Sequence, residues 1–221
     1  MSTVTTSVAV KRKGMSPLVK RLIWAGLVVV LVIAMALSTR IVPKDSQAAA
    51  GPGQFNAASY GQTQFPKIQK YIAENAVDAV TLAPAVKADA TAAASKYGKS
   101  ADGATYIIPI TFTGVVGKVP ADGYTPITVE GLGDVKIGLQ LGPAINGTDL
   151  RDVTGKVTLN DFNNQIEFQD AGAAINDELK KALTKIDATG LEGKTVTVHG
   201  AFTLINPQQW NVTPSQIAVG K

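Results

Sequence analysis

The run from Leu22 to Leu37, LIWAGLVVVLVIAMAL, constrains this chain more than any other feature. It holds 16 residues with no charge and no strongly polar side chain, and Ser38 and Thr39 extend it to 18 between Arg21 and Arg40. A helix needs roughly 17–25 such residues to cross a bilayer, and in lipid a continuous helix is the element that satisfies its own backbone polar groups. The segment is apolar on every face, which excludes an ordinary half-buried surface helix. Two readings follow. Residues 22–39 are an uncleaved transmembrane anchor with Trp24 at the interface, or they are a signal segment cut after the small-x-small stretch Ala34-Met35-Ala36. Both place the remainder outside the cytoplasm.

Charge supports that topology. The whole chain carries a formal +4, yet Lys11, Arg12, Lys13, Lys20 and Arg21 all precede the apolar run. Residues 46–221 hold 14 Lys and Arg against 16 Asp and Glu, a net of −2. The excess is a positive-inside signal that assigns residues 1–21 to the cytoplasm. The exported part has no basic block of the kind that follows phosphates, so nucleic acid is excluded as a partner. With no cysteine and one histidine, disulfides, thiolate chemistry, cysteine lipidation and multi-histidine metal sites are all excluded.

Beyond the membrane segment the chain reads as three parts. Residues 40–64 are rich in Gly, Ala, Ser and Gln and read as a flexible linker. Residues 65–100 read as a helical subdomain: Phe65, Ile68, Ile72, Ala76 and Val80 step by three or four, Pro66 suits a first helical turn, Pro84 ends or kinks the helix, and a second helix covers Ala85–Tyr97. Residues 101–221 read as a barrel domain. Alternation at Tyr106–Phe112, Ile127–Val129, Val135–Leu141, Val196–Leu204 and Ile217–Val219 predicts strands, with Pro109 at an edge or bulge. A further strand is predicted near 162–168, followed by a helix capped by Asp170 with Ala171, Ile175, Leu179 and Leu183 on one face. A helix between the third and fourth strands of a five-strand antiparallel sheet describes an OB-like barrel, and a sandwich is the alternative. The fold class is therefore α+β.

Catalytic signatures are weak. His199 is alone, and its bland reading is a solvent-facing strand residue with no identifiable partner. Asp149, Asp152, Asp161, Glu167 and Asp170 are scattered acids; a hydrolase would need two of them facing one bond. Gly131-Leu132-Gly133 lacks the third glycine of a dinucleotide loop. Asn146-Gly147-Thr148 and Asn211-Val212-Thr213 match the glycosylation pattern, which arises often by chance. The dense stretch is Gly142–Gln169, with Arg151-Asp152 and Asn160–Gln165. On a strand at 162–168, Asn164 would share an apolar face with Phe162, Ile166 and Phe168 and would have to find partners. Either it brackets loop backbone groups, or it faces a pocket with Arg151, Asp152 and Gln165, where Arg151 clamps a carboxylate or a sugar hydroxyl.

The residues Gly142-Pro143, Gly147-Thr148, Arg151-Asp152, Asp161-Phe162, Asn164-Gln165-Ile166, Gly200-Ala201-Phe202, Trp210 and Thr213-Pro214 carry a resemblance. Over about residues 20–220 the chain resembles a bacterial family of predicted periplasmic lipoproteins known only as a domain of unknown function. The resemblance implies a helical N-terminal subdomain before an OB-like barrel, and a place beside sugar ABC transporters. It implies no catalytic residues and no cofactor. The absence of cysteine departs from a lipoprotein, so residues 22–39 must anchor the chain if it is anchored. The expectation is a membrane-tethered, extracytoplasmic, non-enzymatic accessory or binding module. The alternatives are a small-ligand or oligosaccharide-binding barrel using Arg151 and Asn164, and a hydrolase with paired acids.

Overall fold

The computed structural model describes residues 17–38, 55–120, 123–142, 144–186 and 189–220. The basic residues before Pro17, Thr39 and Arg40, the linker through residue 54, Asp122 and Pro143 lie outside these. The chain divides into two compact units, Met1–Ala49 and Ala50–Lys221.

The first unit contains helix α1, Pro17–Ser38. Its stretch Pro17–Met35 has a mean hydropathy of 2.3, long and apolar enough to cross a membrane. Leu22, Trp24, Val30 and Met35 are all exposed, around the whole circumference. Such a surface is suited to lipid rather than water.

The second unit begins with helix α2, Ala57–Asn75. Residues 57–64 were expected in the linker and are helical instead. The Asn56 side chain accepts a hydrogen bond from the Ser59 N–H at 2.9 Å, and Phe55 packs on Tyr60 with ring centroids 5.4 Å apart. That pairing of the residues before the cap and at the fourth helical position is a hydrophobic staple. Pro66 consequently lies inside α2 rather than in its first turn. The predicted continuous helix to Pro84 is also broken earlier. Strand β1, Val77–Asp78, intervenes, and Asp78 then caps helix α3, Ala79–Ala88, by accepting from the N–H groups of Val80 and Thr81. Pro84 lies within α3. Asp89 in turn caps helix α4, Ala90–Tyr97.

The barrel strands are β2 (Ile107–Val116), β3 (Thr125–Thr128), β4 (Lys136–Leu139), β5 (Thr195–Thr203) and β6 (Gln209–Val219). Their order β2-β3-β4-β6-β5, closed by antiparallel pairing of β5 back onto β2, makes a five-strand barrel. Closure removes the open edges that a sandwich would leave. One pairing, β4 with β6, is parallel. Pro109 sits one residue before the short β1 pairing begins, where β2 has no neighbour on that side. The interior is filled by Ile108, Ile110, Phe112, Leu139, Val198 and Phe202, with Phe202 stacked on the fully buried Trp210 at 5.2 Å.

Between β4 and β5 come the short helix α5, Asp149–Asp152, and helix α6, Gln165–Leu183. The strand predicted near 162–168 does not form. Asn164 caps α6 by accepting from the Glu167 N–H at 2.9 Å, while the Glu167 carboxylate accepts from the Asn163 N–H at 3.0 Å. The first bond satisfies an orphan donor of the helix start, and the second ties the residue before the cap to the first turn. Asp170, predicted as the cap, lies within the helix. Helices α2 and α6 approach closely enough that a Cβ on Gly61 would sit 2.5 Å from the Ala174 carbonyl oxygen.

Candidate functional site

The four residues grouped by the sequence as ligand contacts separate into two pairs. Arg151 and Asp152 lie on α5, whereas Asn164 and Gln165 are exposed at the start of α6. Asn164 therefore does not sit on an apolar strand face; its amide oxygen serves the helix cap. Arg151 is buried, and its bonds run inward. Its Nε and Nη2 donate to the two carboxylate oxygens of Asp152 at 2.7 and 2.9 Å. Nη1 donates to the Phe168 carbonyl at 3.1 Å, and the guanidinium lies 3.6 Å from the Phe168 ring centroid. Phe168 leads on to Phe162 at 5.5 Å, and Phe162 to Phe55 at 5.3 Å and Tyr60 at 5.7 Å. A chain of rings thus links α5 and α6 to the first turn of α2. Burial first, then the charge of Asp161, raises the pKa of the Tyr60 phenol.

A cavity of about 420 Å³ lies beside Arg151, with Asp102, Thr105, Thr148, Asp152 and Phe168 in its wall. Its two carboxylates are engaged. Asp102 accepts from the Ala104 and Thr105 N–H groups and the Ser100 hydroxyl. These bonds, that from Thr105 foremost, hold its pKa far below the ordinary carboxylate value. Such a group stays ionised and cannot act as a proton donor near neutrality. Asp161 accepts from Thr158 and Glu167 from Asn163. Among the described residues no three His, Asp or Glu side chains are placed to hold a metal ion.

His199 is half-buried on β5, paired in register with Thr111 and Gln216. The sequence placed it facing solvent. Its Nδ1 is instead buried with no hydrogen-bond partner, so no carboxylate orients it as a triad would require.

A larger cleft, of about 880 Å³, opens elsewhere. Val80, Ala83, Pro84 and Val86 of α3 form one wall, the Gly131–Val135 turn a second, and Asn206–Gln208 between β5 and β6 a third. Gly131 and Gly133 both adopt positive φ, at 85° and 61°, which a side chain would resist. The Gly131-Leu132-Gly133 sequence thus shapes a cleft wall. Lys87 and Asp134 reach the cleft, and neither makes an ion pair among the described residues. No motif in the sequence announced this cleft, since its three walls meet only in the fold.

Fold and cavities together define a small OB-fold domain extended by helices packed outside the barrel. An OB-fold protein from Thermotoga maritima has a similar structure, with a TM-score of 0.62 and 20% identity over 76% of this chain and 99% of that one. At that identity the likeness shows the fold alone. Among curated proteins none is detectably similar in sequence. The sequence model of the predicted periplasmic lipoprotein family (DUF2291) matches residues 27–218, and this chain belongs to that family. Its members are predicted to be membrane-anchored and extracytoplasmic, and their function is unknown.

Proposed function

We propose that the chain is a membrane-tethered, non-enzymatic binding module of the cell envelope, with its N-terminus in the cytoplasm and residues 22–39 as the anchor. The ligand site is the cleft between α3, the Gly131–Val135 turn and the Asn206–Gln208 turn. One observation carries this reading: the cleft is mostly aliphatic, with Lys87 and Asp134 at hand and neither in an ion pair among the described residues. Its volume falls within the ~300–1,000 Å³ of small-molecule sites, which are apolar with a few placed polar groups. The Arg151 region supports binding less well, because its guanidinium already has protein partners on three of its nitrogens. Among the described residues no aromatic ring lines the cleft, so a ligand with an aliphatic body and polar ends fits better than an oligosaccharide that needs a stacking platform.

A thermal-shift screen of the full chain in detergent tests this, using branched aliphatic acids, amines, amino acids and oligosaccharides at millimolar concentration. Stabilisation by an aliphatic zwitterion, lost in Val80→Trp, is the expected result; Val80 is exposed, so the bulky ring fills the cleft without invading the core. No shift with any compound, or a shift unchanged in Val80→Trp, removes the cleft reading. Association with a sugar ABC transporter component is a further part of the proposal, resting on the family resemblance. A permease retained with the full chain through purification from membranes supports it, and recovery of the chain alone removes it.

A further inference from the structure

The β4–α5 connection is fastened to the barrel by a line of polar groups. Gln140 Nε2 donates to the Ala144 carbonyl at 3.0 Å. Gln140 Oε1 accepts from Thr213 Oγ1 at 3.2 Å, and Asp149 Oδ2 lies 3.1 Å from the same Thr213 oxygen. Asp149 Oδ1 accepts from Thr203 Oγ1 at 2.7 Å. Thr213 and Gln140 are buried. Asn176 of α6 holds the same connection by donating to the Gly147 carbonyl at 2.8 Å.

Counting hydrogens exposes a deficit. The Thr213 hydroxyl has one proton and two acceptors, Gln140 Oε1 and Asp149 Oδ2. With Asp149 ionised, one of those acceptors receives no proton from the side chains of this line. Turning the Gln140 amide over moves the problem, because its oxygen would then meet the Ala144 carbonyl. One added proton on Asp149 Oδ2 completes the line: Asp149 donates to Thr213, Thr213 to Gln140, and Gln140 to Ala144, while Thr203 donates to Oδ1.

We propose that Asp149 is a proton-operated latch, which locks the 140–149 connection onto β5 and β6 when protonated and loosens it when ionised. The surroundings favour the neutral form. Burial raises the Asp149 pKa, the two threonine hydroxyls oppose the rise, and Asp152 adds to it. Charged and titratable neighbours give no compensation. Arg151 of α5 is turned to Asp152, and among the described residues no cation is within ion-pair distance of Asp149. Among the described residues of the segment before β3, the Tyr124 phenol faces it, and burial and Asp149 raise that phenol's own pKa. From β5 and β6 come the uncharged Thr203 and Thr213, and from α6 the uncharged Asn176. A domain outside the cytoplasm meets pH changes that no cytoplasmic buffer damps, so such a latch couples the fold to external acidity.

The sign is fixed by linkage. The folded chain holds this proton more tightly than the unfolded one, so the latch stabilises fully at pH below the unfolded carboxyl value and is lost as pH rises through the folded value. Asp149→Asn supplies both a donor for Thr213 and an acceptor for Thr203 without a proton. In the full chain, a pH titration by infrared spectroscopy is expected to show a protonated-carboxyl band that persists above the pH at which ordinary carboxyls ionise, disappears on a further rise, and is missing over that range in Asp149→Asn. Hydrogen exchange of residues 140–149, corrected for intrinsic rates, is expected to quicken over the same pH range in the parent chain and not in the variant. Should Asp149→Asn fail to fold, both measurements on the parent chain still decide. An Asp149 carboxyl that titrates at the ordinary aspartate value, or exchange that does not follow its titration, overturns the latch.

Discussion

Replacing Arg151 with alanine separates a structural role from a ligand-binding one. The Arg151 side chain is 8% exposed and that of Asp152 is 18% exposed. Removing one member of a buried ion pair costs about 3–5 kcal/mol because the other charge is left uncompensated. Asp152 keeps some access to water, which favours the low end, about 3 kcal/mol. The contact 3.6 Å from the Phe168 ring adds about 0.5–2 kcal/mol, and the lost donor to the Phe168 carbonyl about 1 kcal/mol. These terms share one side chain and do not sum fully, so the expected loss is about 4 kcal/mol. For a domain of this size that lowers Tm by roughly 10 °C. Urea unfolding followed by fluorescence measures it, because Trp210 is fully buried; a Trp24→Phe background removes the signal of the membrane segment. Arg151→Lys should lose about 2 kcal/mol, since an ammonium cannot serve both Asp152 oxygens and the Phe168 carbonyl in one plane. Arg151→Met with Asp152→Leu should recover most of the stability, because an apolar pair leaves no buried charge. A loss below about 1 kcal/mol in Arg151→Ala would refute the bracket argument, as would a double-mutant cycle showing no coupling between Arg151 and Asp152.

Other substitutions test the joints around that bracket. Gly61→Ala should destabilise by about 1–3 kcal/mol in the same urea assay, because its Cβ would meet the Ala174 carbonyl at 2.5 Å; a gain, as helix propensity alone would give, would show that α2 and α6 can separate freely. Asn164→Ala removes the α6 cap and should cost about 1 kcal/mol, with faster hydrogen exchange in the first turn and no effect on ligand shifts. Asp102, whose pKa is depressed by the Thr105 and Ala104 N–H bonds and the Ser100 hydroxyl, should order the Ser100–Thr105 turn above the ordinary carboxylate pKa and release it only in strong acid. Limited proteolysis at neutral pH should therefore cut Asp102→Ala in this turn and spare the parent chain; equal cutting would refute the assignment.

Alternation showed β2 and β5 in the sequence, and the barrel class followed from placing one helix between strands; of β6 only Ile217–Val219 was legible, and its parallel pairing with β4 was not. What period counting missed were the element starts, which depend on side-chain-to-backbone bonds rather than on apolar spacing. Phe55-Asn56 with Tyr60 held the signal for α2, and Asn164 with Glu167 three residues on held it for α6. At 162–168 the alternation of Phe162, Ile166 and Phe168 imitated a strand, because aromatic residues near a helix start also pack on one side. The same error misplaced Asn164. Once it caps a helix, Asn164 sits on no apolar strand face and is not held beside Arg151 as half of a ligand clamp.

That displacement carries over to function. Residues dense in hydrogen-bonding groups attract attention in a sequence, but in this fold they engage one another: Arg151 with Asp152 and Phe168, Asn164 with Glu167, Asp161 with Thr158. Of the groups without a full set of such partners, Lys87 and Asp134 are distant from that stretch, whereas Asp149 lies within it. Lys87 and Asp134 stand at a cleft whose walls come from three separate parts of the chain, and Asp149 is one proton short of a complete network. Neither follows from local spacing, because each depends on which loops the barrel brings together. In a chain whose polar stretches are occupied in this way, unmet polar groups are better guides to activity than polar density. On that ground the cleft and Asp149 are to be tested before Arg151.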